Sequence, residues 1–149
     1  MGDFVKERKS PLLMTDIIIE KNGKIILIVR NKEPFKGELS IPGGFVEWGE
    51  TVEHAAVREA KEETGLDVRL IDIVGVYSDP KRDPRGSAVS VLFAAELVGG
   101  KLKGGDDAKE ANWFDLSKTK NLEISYDHDK MINDFLKWKK HKGTFWSTK

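Results

Sequence analysis

The feature that most constrains the fold is one uninterrupted helical segment with an unusual density of glutamates. From Thr51 to Thr64 the sequence contains neither Pro nor Gly and is rich in Ala and Glu. Gly65 follows as a ready left-handed cap. We therefore predict one helix over Thr51 to Thr64. The distribution of its charges around the axis decides whether the acids face solvent or the interior.

Three carboxylates fall together on one arc of this helix. With residues about 100° apart and Glu59 set to zero, Glu62 lies at about 300° and Glu63 at about 40°. The same arc holds apolar residues of the earlier turns, namely Val52, Ala55 and Ala56. We therefore predict that the acidic face points inward, although most glutamate-rich runs form a solvated surface.

Inward carboxylates repel one another and lose hydration, so they require a cation among them. A divalent metal ion meets this requirement. Ligands that are all oxygen favour Mg²⁺ or Mn²⁺ over zinc, and the chain has no cysteine. Arg58 stands four residues before Glu62, a spacing that allows either a steering contact to the carboxylate or an ordinary helix ion pair.

Residues 44–66, GFVEWGETVEHAAVREAKEETGL, resemble the signature box of the Nudix hydrolases, and all seven invariant letters of that box are present. Ala60 is a mild departure, because the box prefers Ile, Leu or Val there. The resemblance implies an α/β (α+β) fold, the Nudix fold, with a mixed β-sheet sandwiched between helices. It also implies hydrolysis of a nucleoside diphosphate linked to another moiety. The metal ligands would then be Glu59, Glu62 and Glu63.

Composition argues for one domain, residues 1–149, with a small-molecule partner. The 25 basic and 25 acidic residues leave no net charge, so neither a nucleic-acid nor a membrane partner is indicated. The first ten residues are too charged for a signal peptide, and no apolar run approaches the ~20 residues of a membrane span. We expect a soluble, cytoplasmic protein.

Alternating and β-branched runs predict five strands around the acidic helix. The first two flank Asn22-Gly23, a pair that favours a tight type I′ hairpin turn. The predicted strands are Thr15 to Glu20, Ile25 to Arg30, Val68 to Tyr77, Ala88 to Leu97 and Ala111 to Phe114. The Gly-rich stretch from Val98 to Asp107 is predicted to be flexible.

A second helix is predicted from Asp127 to His141, with Asp127 as its cap. Its apolar stripe comprises Met131, Ile132, Phe135 and Leu136. His128 has no partner visible in the sequence and is a minor catalytic candidate. The tail after this helix exposes Phe145 and Trp146 unless they dock, and because they are too apolar for a free end they indicate a packing contact or a subunit contact. With Phe4 they motivate the hypothesis of a homodimer.

Loops supply the candidate substrate contacts. Arg30 ends a strand and begins a polar loop that can reach a ligand. The adjacent Gly43 and Gly44 allow close backbone approach to phosphates. Gly44 is also a candidate metal contact, together with Glu50, whose carboxylate suits the exposed donors of the helix start. For the adenine we consider stacking on Phe35 or Trp48, although either can equally be core.

The loop SDPKRDPRGS, residues 78–87, is either an exposed hairpin connection or a substrate loop. Arg82 and Arg85 offer forked donors for a phosphate or a ribose hydroxyl. With Tyr77 the loop resembles a segment of the ADP-ribose pyrophosphatases. That resemblance implies ADP-ribose as substrate, cleaved to AMP and ribose 5-phosphate.

The general base is left open by the sequence. It is either a member of the helix cluster or a loop carboxylate such as Glu110, since this loop often carries another acid in Nudix enzymes. Asp106 and Asp107 are weaker candidates of the same kind. Two alternatives to the substrate assignment are kept: hydrolysis of an oxidised nucleoside triphosphate, and a non-catalytic regulator that senses ADP-ribose. The regulator would need a DNA-reading domain, for which we expect too few residues.

Overall fold

A computed structural model describes residues 9–103 and 111–149 of the chain. The strands in these ranges are β1 (Leu12–Lys21), β2 (Lys24–Val29), β3 (Leu39–Ser40), β4 (Gly43–Phe45), β5 (Leu66–Tyr77), β6 (Ala88–Gly100), β7 (Ala111–Asp115) and β8 (Phe145–Trp146). The helices are α1 (Val52–Thr64), a short 3-10 helix (Leu116–Asn121) and α2 (His128–His141). The 3-10 helix and the short strands β3, β4 and β8 are additions to the predicted elements.

The strands form one mixed sheet in the order β3-β2-β1-β6-β5-β8, with β4 paired to β1 and β7 paired to β2. Strand β1 is central. It runs parallel to β6 over nine paired positions and antiparallel to both β2 and β4. The first part of β1 bonds β4, and its end bonds β2 across the hairpin turn. The strand that leads into α1 is therefore bonded directly to the centre of the sheet.

Helices cover both faces of this sheet, and the alternation of side chains along β1 shows how. Ile17 and Ile19 belong to a buried cluster with Ala56 of α1. Ile18, which points to the opposite face, belongs to a second cluster with Met131 of α2. Successive strand residues point to opposite faces, so a run of isoleucines fills two cores. The predicted sandwich of a mixed sheet between helices is confirmed.

The local signals for the hairpin and for α1 are confirmed as well. Asn22 and Gly23 have φ values of 53° and 77°, as a type I′ turn requires. Thr51 caps α1, because its hydroxyl accepts the backbone N–H of His54 at 3.1 Å. Gly65 ends the helix in the left-handed conformation, with φ 80°.

Two predictions about the edges of the fold are wrong. The side chain of Asp127 makes no capping hydrogen bond to α2, because its carboxylate is bound by an arginine described below. Strand β6 continues to Gly100, so residues 98–100 are not a flexible loop. Among the residues that the structure describes, no helix is long and apolar enough to cross a lipid bilayer.

Of the two outcomes that the sequence leaves open for the tail, Phe145 takes the packing contact. This residue is buried in β8, which adds to the sheet edge at β5, whereas Trp146 is 48% exposed. Phe4 lies outside the described residues. The homodimer stays a prediction, and its basis is weaker because the burial of Phe145 within its own chain removes one of the three residues that motivated it.

Candidate active site

Arg58 is the centre of the charged site on α1. Its Nε and Nη2 atoms donate to the two carboxylate oxygens of Glu50 at 2.7 and 2.9 Å, and Nη2 also donates to the carbonyl oxygen of Phe45 at 3.0 Å. This fork holds the pKa of Glu50 well below its usual range. Glu50 therefore anchors Arg58 and joins the turn before α1 to the helix.

The third nitrogen of the same guanidinium bonds the carboxylates of the box. Nη1 donates to Glu59 at 2.9 Å and to Glu62 at 3.2 Å. The (i, i+4) contact expected between Arg58 and Glu62 is present, and the steering role of Arg58 stays a prediction. The side chain of Glu59 is 14% exposed, but that of Glu62 is 58% exposed. The prediction of an inward face is therefore wrong for Glu62, which lies at the edge of the arc where Arg58 and solvent both reach it.

Glu63 is the most deeply buried acid of the helix. It accepts the backbone N–H of Gly43 at 2.7 Å, and burial raises its pKa to about 8. The nearby charges of Glu59 and Asp16 raise the pKa of Glu63 further. Burial also raises the pKa of Glu59, against the opposing hydrogen bond from Arg58. Negative charge at these two positions is thus only partly compensated by the protein itself.

The two glycines before the box are required by close packing. A Cβ on Gly44 would lie 2.5 Å from the carboxylate of Glu59. A Cβ on Gly43 would lie 2.3 Å from both a carboxylate oxygen of Asp16 and the carbonyl oxygen of Thr15. A side chain at position 43 would collide with backbone, and one at position 44 would displace the Glu59 carboxylate. The backbone of β4 therefore forms one wall of the acidic site.

The residues fit a hard divalent cation in their chemistry. They offer carboxylate oxygens as ligands, and burial raises the pKa of two of the carboxyl groups, those of Glu59 and Glu63. Within residues 9–103 and 111–149, however, no three acidic or histidine side chains are already arranged around a common point. Arg58 holds Glu59 and Glu62 while Gly43 holds Glu63, so a bound ion would draw these side chains together.

A cavity of about 440 Å³, which we call the acidic cavity, opens beside the acids of α1. Its lining includes the acids Glu62 and Glu63 and three cations, namely Arg30, Lys32 and Lys103. Arg30 is held in place, because its Nε donates to the carbonyl oxygen of Pro34 at 2.6 Å. Acids and cations around one cavity suit a phosphate that is bound partly through a metal ion and partly by direct contacts.

A second cavity, of about 380 Å³, is lined in part by aromatic residues, and we call it the aromatic cavity. Phe35 and Tyr126 meet edge to face there with ring centroids 4.8 Å apart, and the guanidinium of Arg30 lies 5.1 Å from the Tyr126 centroid. Tyr126 was missed by the sequence reasoning, because nothing near it in the chain indicates these neighbours. Trp48, the other stacking candidate, is fully exposed and lines none of the cavities described here.

The arginines of the 78–87 loop are bound by carboxylates. Arg82 is buried and donates from Nε and Nη2 to Asp127 at 3.0 and 2.9 Å. Arg85 bonds Asp83 in the same forked manner, at 3.1 and 2.8 Å, and stacks 5.0 Å from the ring centroid of Phe45. Their predicted contact with phosphate or ribose stays a prediction. Arg82 lines the aromatic cavity, whereas Arg85 lines neither of the two cavities described above.

His128 is a buried hydrogen-bond acceptor. Its Nδ1 accepts the N–H of Ile41 at 3.0 Å, and burial lowers its pKa to about 3. Its Nε2 lies 3.6 Å from a carboxylate oxygen of Asp16, whose pKa burial raises to about 6. This arrangement fixes β3 and β4 against α2. The other candidate bases, Glu110, Asp106 and Asp107, lie outside the described residues.

The NUDIX domain family model matches residues 14–135, and the chain belongs to the Nudix family. One relative is the ADP-ribose pyrophosphatase of Methanocaldococcus jannaschii, 54% identical over 87% of this chain and 75% of the relative. The ADPR responsive transcriptional repressor NtrR of Acinetobacter baylyi is 31% identical over 83% of this chain, which spans about half, 52%, of that protein.

Among solved structures, one similar chain is the bifunctional NMN adenylyltransferase/ADP ribose pyrophosphatase of Francisella tularensis in complex with AMP and a manganese ion. It is 26% identical with a TM-score of 0.74, and the match covers 91% of this chain and 44% of that one. The fold, the complete box and these matches define the class of protein as a Nudix hydrolase.

Proposed function

We propose that this Nudix hydrolase cleaves ADP-ribose to AMP and ribose 5-phosphate with the help of Mg²⁺ or Mn²⁺. One observation supports the substrate most directly. A small cavity of about 30 Å³ shares Arg30 and Glu63 with the acidic cavity, and it shares Arg82 and Tyr126 with the aromatic cavity. The acidic and aromatic cavities are therefore neighbours, an arrangement that supports a ligand with a charged diphosphate at one end and an aromatic base at the other.

The acids of α1 would hold the metal ion, with Glu59, Glu62 and Glu63 as ligands and the carbonyl of Gly44 beside them. When bound, such an ion neutralises diphosphate charge and lowers the pKa of a water molecule. Arg58 and Glu50 act as positioning residues, because the fork on Glu50 fixes the guanidinium that bonds Glu59 and Glu62. The choice of ion follows from the oxygen ligands, and the similar Francisella tularensis structure is a complex with a manganese ion.

Arg30 is the cation best placed for the phosphate. It lines the acidic cavity together with Glu62 and Glu63, and its contacts with Pro34 and Tyr126 restrict its motion. A guanidinium that is already ordered loses less entropy on binding an anion. The adenine would stack in the aromatic cavity on Phe35 or Tyr126, since both rings line it and are only partly buried.

The activity is tested by chromatography of the products after incubation with ADP-ribose and Mg²⁺. We expect AMP and ribose 5-phosphate, and a kcat/KM above that for any nucleoside triphosphate. Glu63→Gln should fold normally and lower kcat by at least ~10³, the scale of lost charge stabilisation at a metal centre. The matched control is Glu53→Gln, at an exposed position in the first turn of the same helix.

Preference for a triphosphate would favour the alternative of an oxidised-nucleotide hydrolase. The regulator alternative, suggested by the similarity to the ADPR responsive repressor, predicts binding of ADP-ribose without turnover. The retention of Glu50, Glu59, Glu62 and Glu63 together with the Arg58 network supports turnover. A calorimetric titration run beside the chromatography separates binding alone from hydrolysis.

A further inference from the structure

The last seven residues, 143–149, form a docked segment that we call the tail segment. Its strand β8 runs parallel to β5, with Phe145 opposite Gly75 and Trp146 opposite Val76. A Cβ on Gly75 would lie 2.4 Å from the carbonyl oxygen of Phe145, so β5 lacks a side chain where the tail segment crosses it. The segment lies beyond residue 135, where the family match ends.

Ser147 connects this segment to the loop of residues 78–87. Its hydroxyl oxygen accepts two backbone hydrogen bonds, from the N–H of Ser78 at 2.8 Å and from the N–H of Asp79 at 3.0 Å. These are the first two residues after β5. One side chain thus satisfies two adjacent donors where the chain leaves the sheet, and so fixes the direction in which the loop departs.

Further hydrogen bonds connect the start of the loop to the aromatic cavity. The carbonyl oxygen of Asp79 accepts the N–H of Arg82 at 3.0 Å, and the carboxylate of Asp79 accepts the N–H of Lys81 at 2.8 Å. Arg82 then bonds Asp127 through its fork. Asp79, Lys81 and Arg82 all line the aromatic cavity beside Tyr126. The wall of that cavity is built on the turn that Ser147 holds.

We propose that the tail segment is a positioning element for the substrate loop and that Ser147 is its positioning residue. Ser147 does not line the cavity and acts through the backbone of Ser78 and Asp79. Loss of its hydroxyl would leave the acids of α1 in place while the wall opposite them loses its fixed geometry. The proposal rests on the proposed function for its substrate, and it affects substrate binding rather than the chemical step.

The test compares three variants with the wild type. Ser147→Ala removes the hydroxyl, Ser147→Thr retains it, and Thr148→Ala alters the exposed neighbouring residue as a matched control. For Ser147→Ala we expect KM for ADP-ribose to rise about three- to tenfold with kcat within about twofold, the scale of one or two lost hydrogen bonds. Ser147→Thr and Thr148→Ala should remain near the wild type.

A second measurement does not depend on the substrate. Hydrogen exchange in the free protein should speed up by about tenfold at the amides of Ser78 and Asp79 in Ser147→Ala, and the amides of α1 should be unchanged. Unchanged exchange at both amides, or a fall in kcat without a rise in KM, would overturn the proposal. If the wild type fails to cleave ADP-ribose, the proposed function fails. The same KM comparison is then made with the nucleotide that it does hydrolyse.

Discussion

The hydrogen bond between Ile41 and His128 makes the stability of the protein depend on pH in a calculable way. Nδ1 accepts a backbone N–H and so carries no proton of its own, and burial keeps the pKa of the ring at about 3. In the unfolded chain the ordinary value is about 6.5. Between these two pH values the unfolded state binds the extra proton, so this group stabilises the fold above pH 6.5 and loses that contribution as pH falls.

The magnitude follows from the two pKa values. Lowering the pH from 7.5 to 5 should remove about 2 kcal/mol of the free energy of unfolding through His128 alone. Asp16 opposes this trend, because burial raises its pKa to about 6 and it binds protons more readily in the folded state. Glu63, with its pKa raised to about 8, opposes it as well. A measurement on the wild type alone would therefore mix opposite effects.

The experiment compares the wild type with His128→Asn, whose amide oxygen can replace Nδ1 as acceptor but does not titrate. Urea unfolding at pH 7.5 and at pH 5 gives the stability difference at each pH. We expect the difference, wild type minus variant, to fall by about 2 kcal/mol at the lower pH. The exposed His141→Asn is the control. A difference that stays constant within about 0.5 kcal/mol would mean that His128 is not a buried neutral acceptor.

Three further outcomes are expected. Gly44→Ala should lower kcat at least about tenfold with little loss of melting temperature, because its Cβ would displace the flexible Glu59 carboxylate. The control is Gly99→Ala, whose Cβ would meet Asp67 at an ordinary 3.4 Å. Full activity of Gly44→Ala would contradict the packing argument. Saturating Mg²⁺ should raise the melting temperature and EDTA should reverse this, since an ion at ~100 times its Kd adds about 2.7 kcal/mol to the free energy of unfolding. A melting temperature that responds to neither Mg²⁺ nor EDTA would argue against a metal site. Tyr77→Phe should lower the free energy of unfolding by about 1–3 kcal/mol, because the Tyr77 hydroxyl donates to the buried Asp134 at 2.9 Å. An unchanged midpoint of urea unfolding would show that this hydrogen bond does not stabilise the protein.

Short-range signals in the sequence predicted the framework of the protein. The type I′ turn at Asn22-Gly23, the cap at Gly65 and the periodicity of α1 and α2 depend on neighbours within a few residues, and the structure has all of them. The Nudix box was recognisable for the same reason. Its chemistry is concentrated in one turn and one helix, so its spacing is readable without tertiary contacts.

The parts that the sequence could not predict involve partners far apart in the chain. His128 bonds Ile41 across 87 residues, and Arg82 bonds Asp127 across 45. The second pairing removed the expected cap of α2 and buried an arginine that was expected to reach the substrate. The burial of Phe145 is of the same kind, because it depends on a gap at Gly75 that only the folded sheet presents.

The pairing of β4 with β1 determines the order in which parts of the protein should unfold on heating. Gly43, Gly44 and Phe45 are bonded in register to Asp16, Thr15 and Met14, and the same strand β1 is bonded along its length to β6. The backbone beside the acids of α1 therefore cannot open as a separate unit unless the central ladder opens with it. Loss of the acidic site and cooperative unfolding of the whole sheet should occur as one transition. The loop of residues 78–87, whose first two amides are bonded by one hydroxyl, can loosen at lower temperature. If this loop contacts the substrate as proposed, selectivity should be lost on warming before the capacity for hydrolysis.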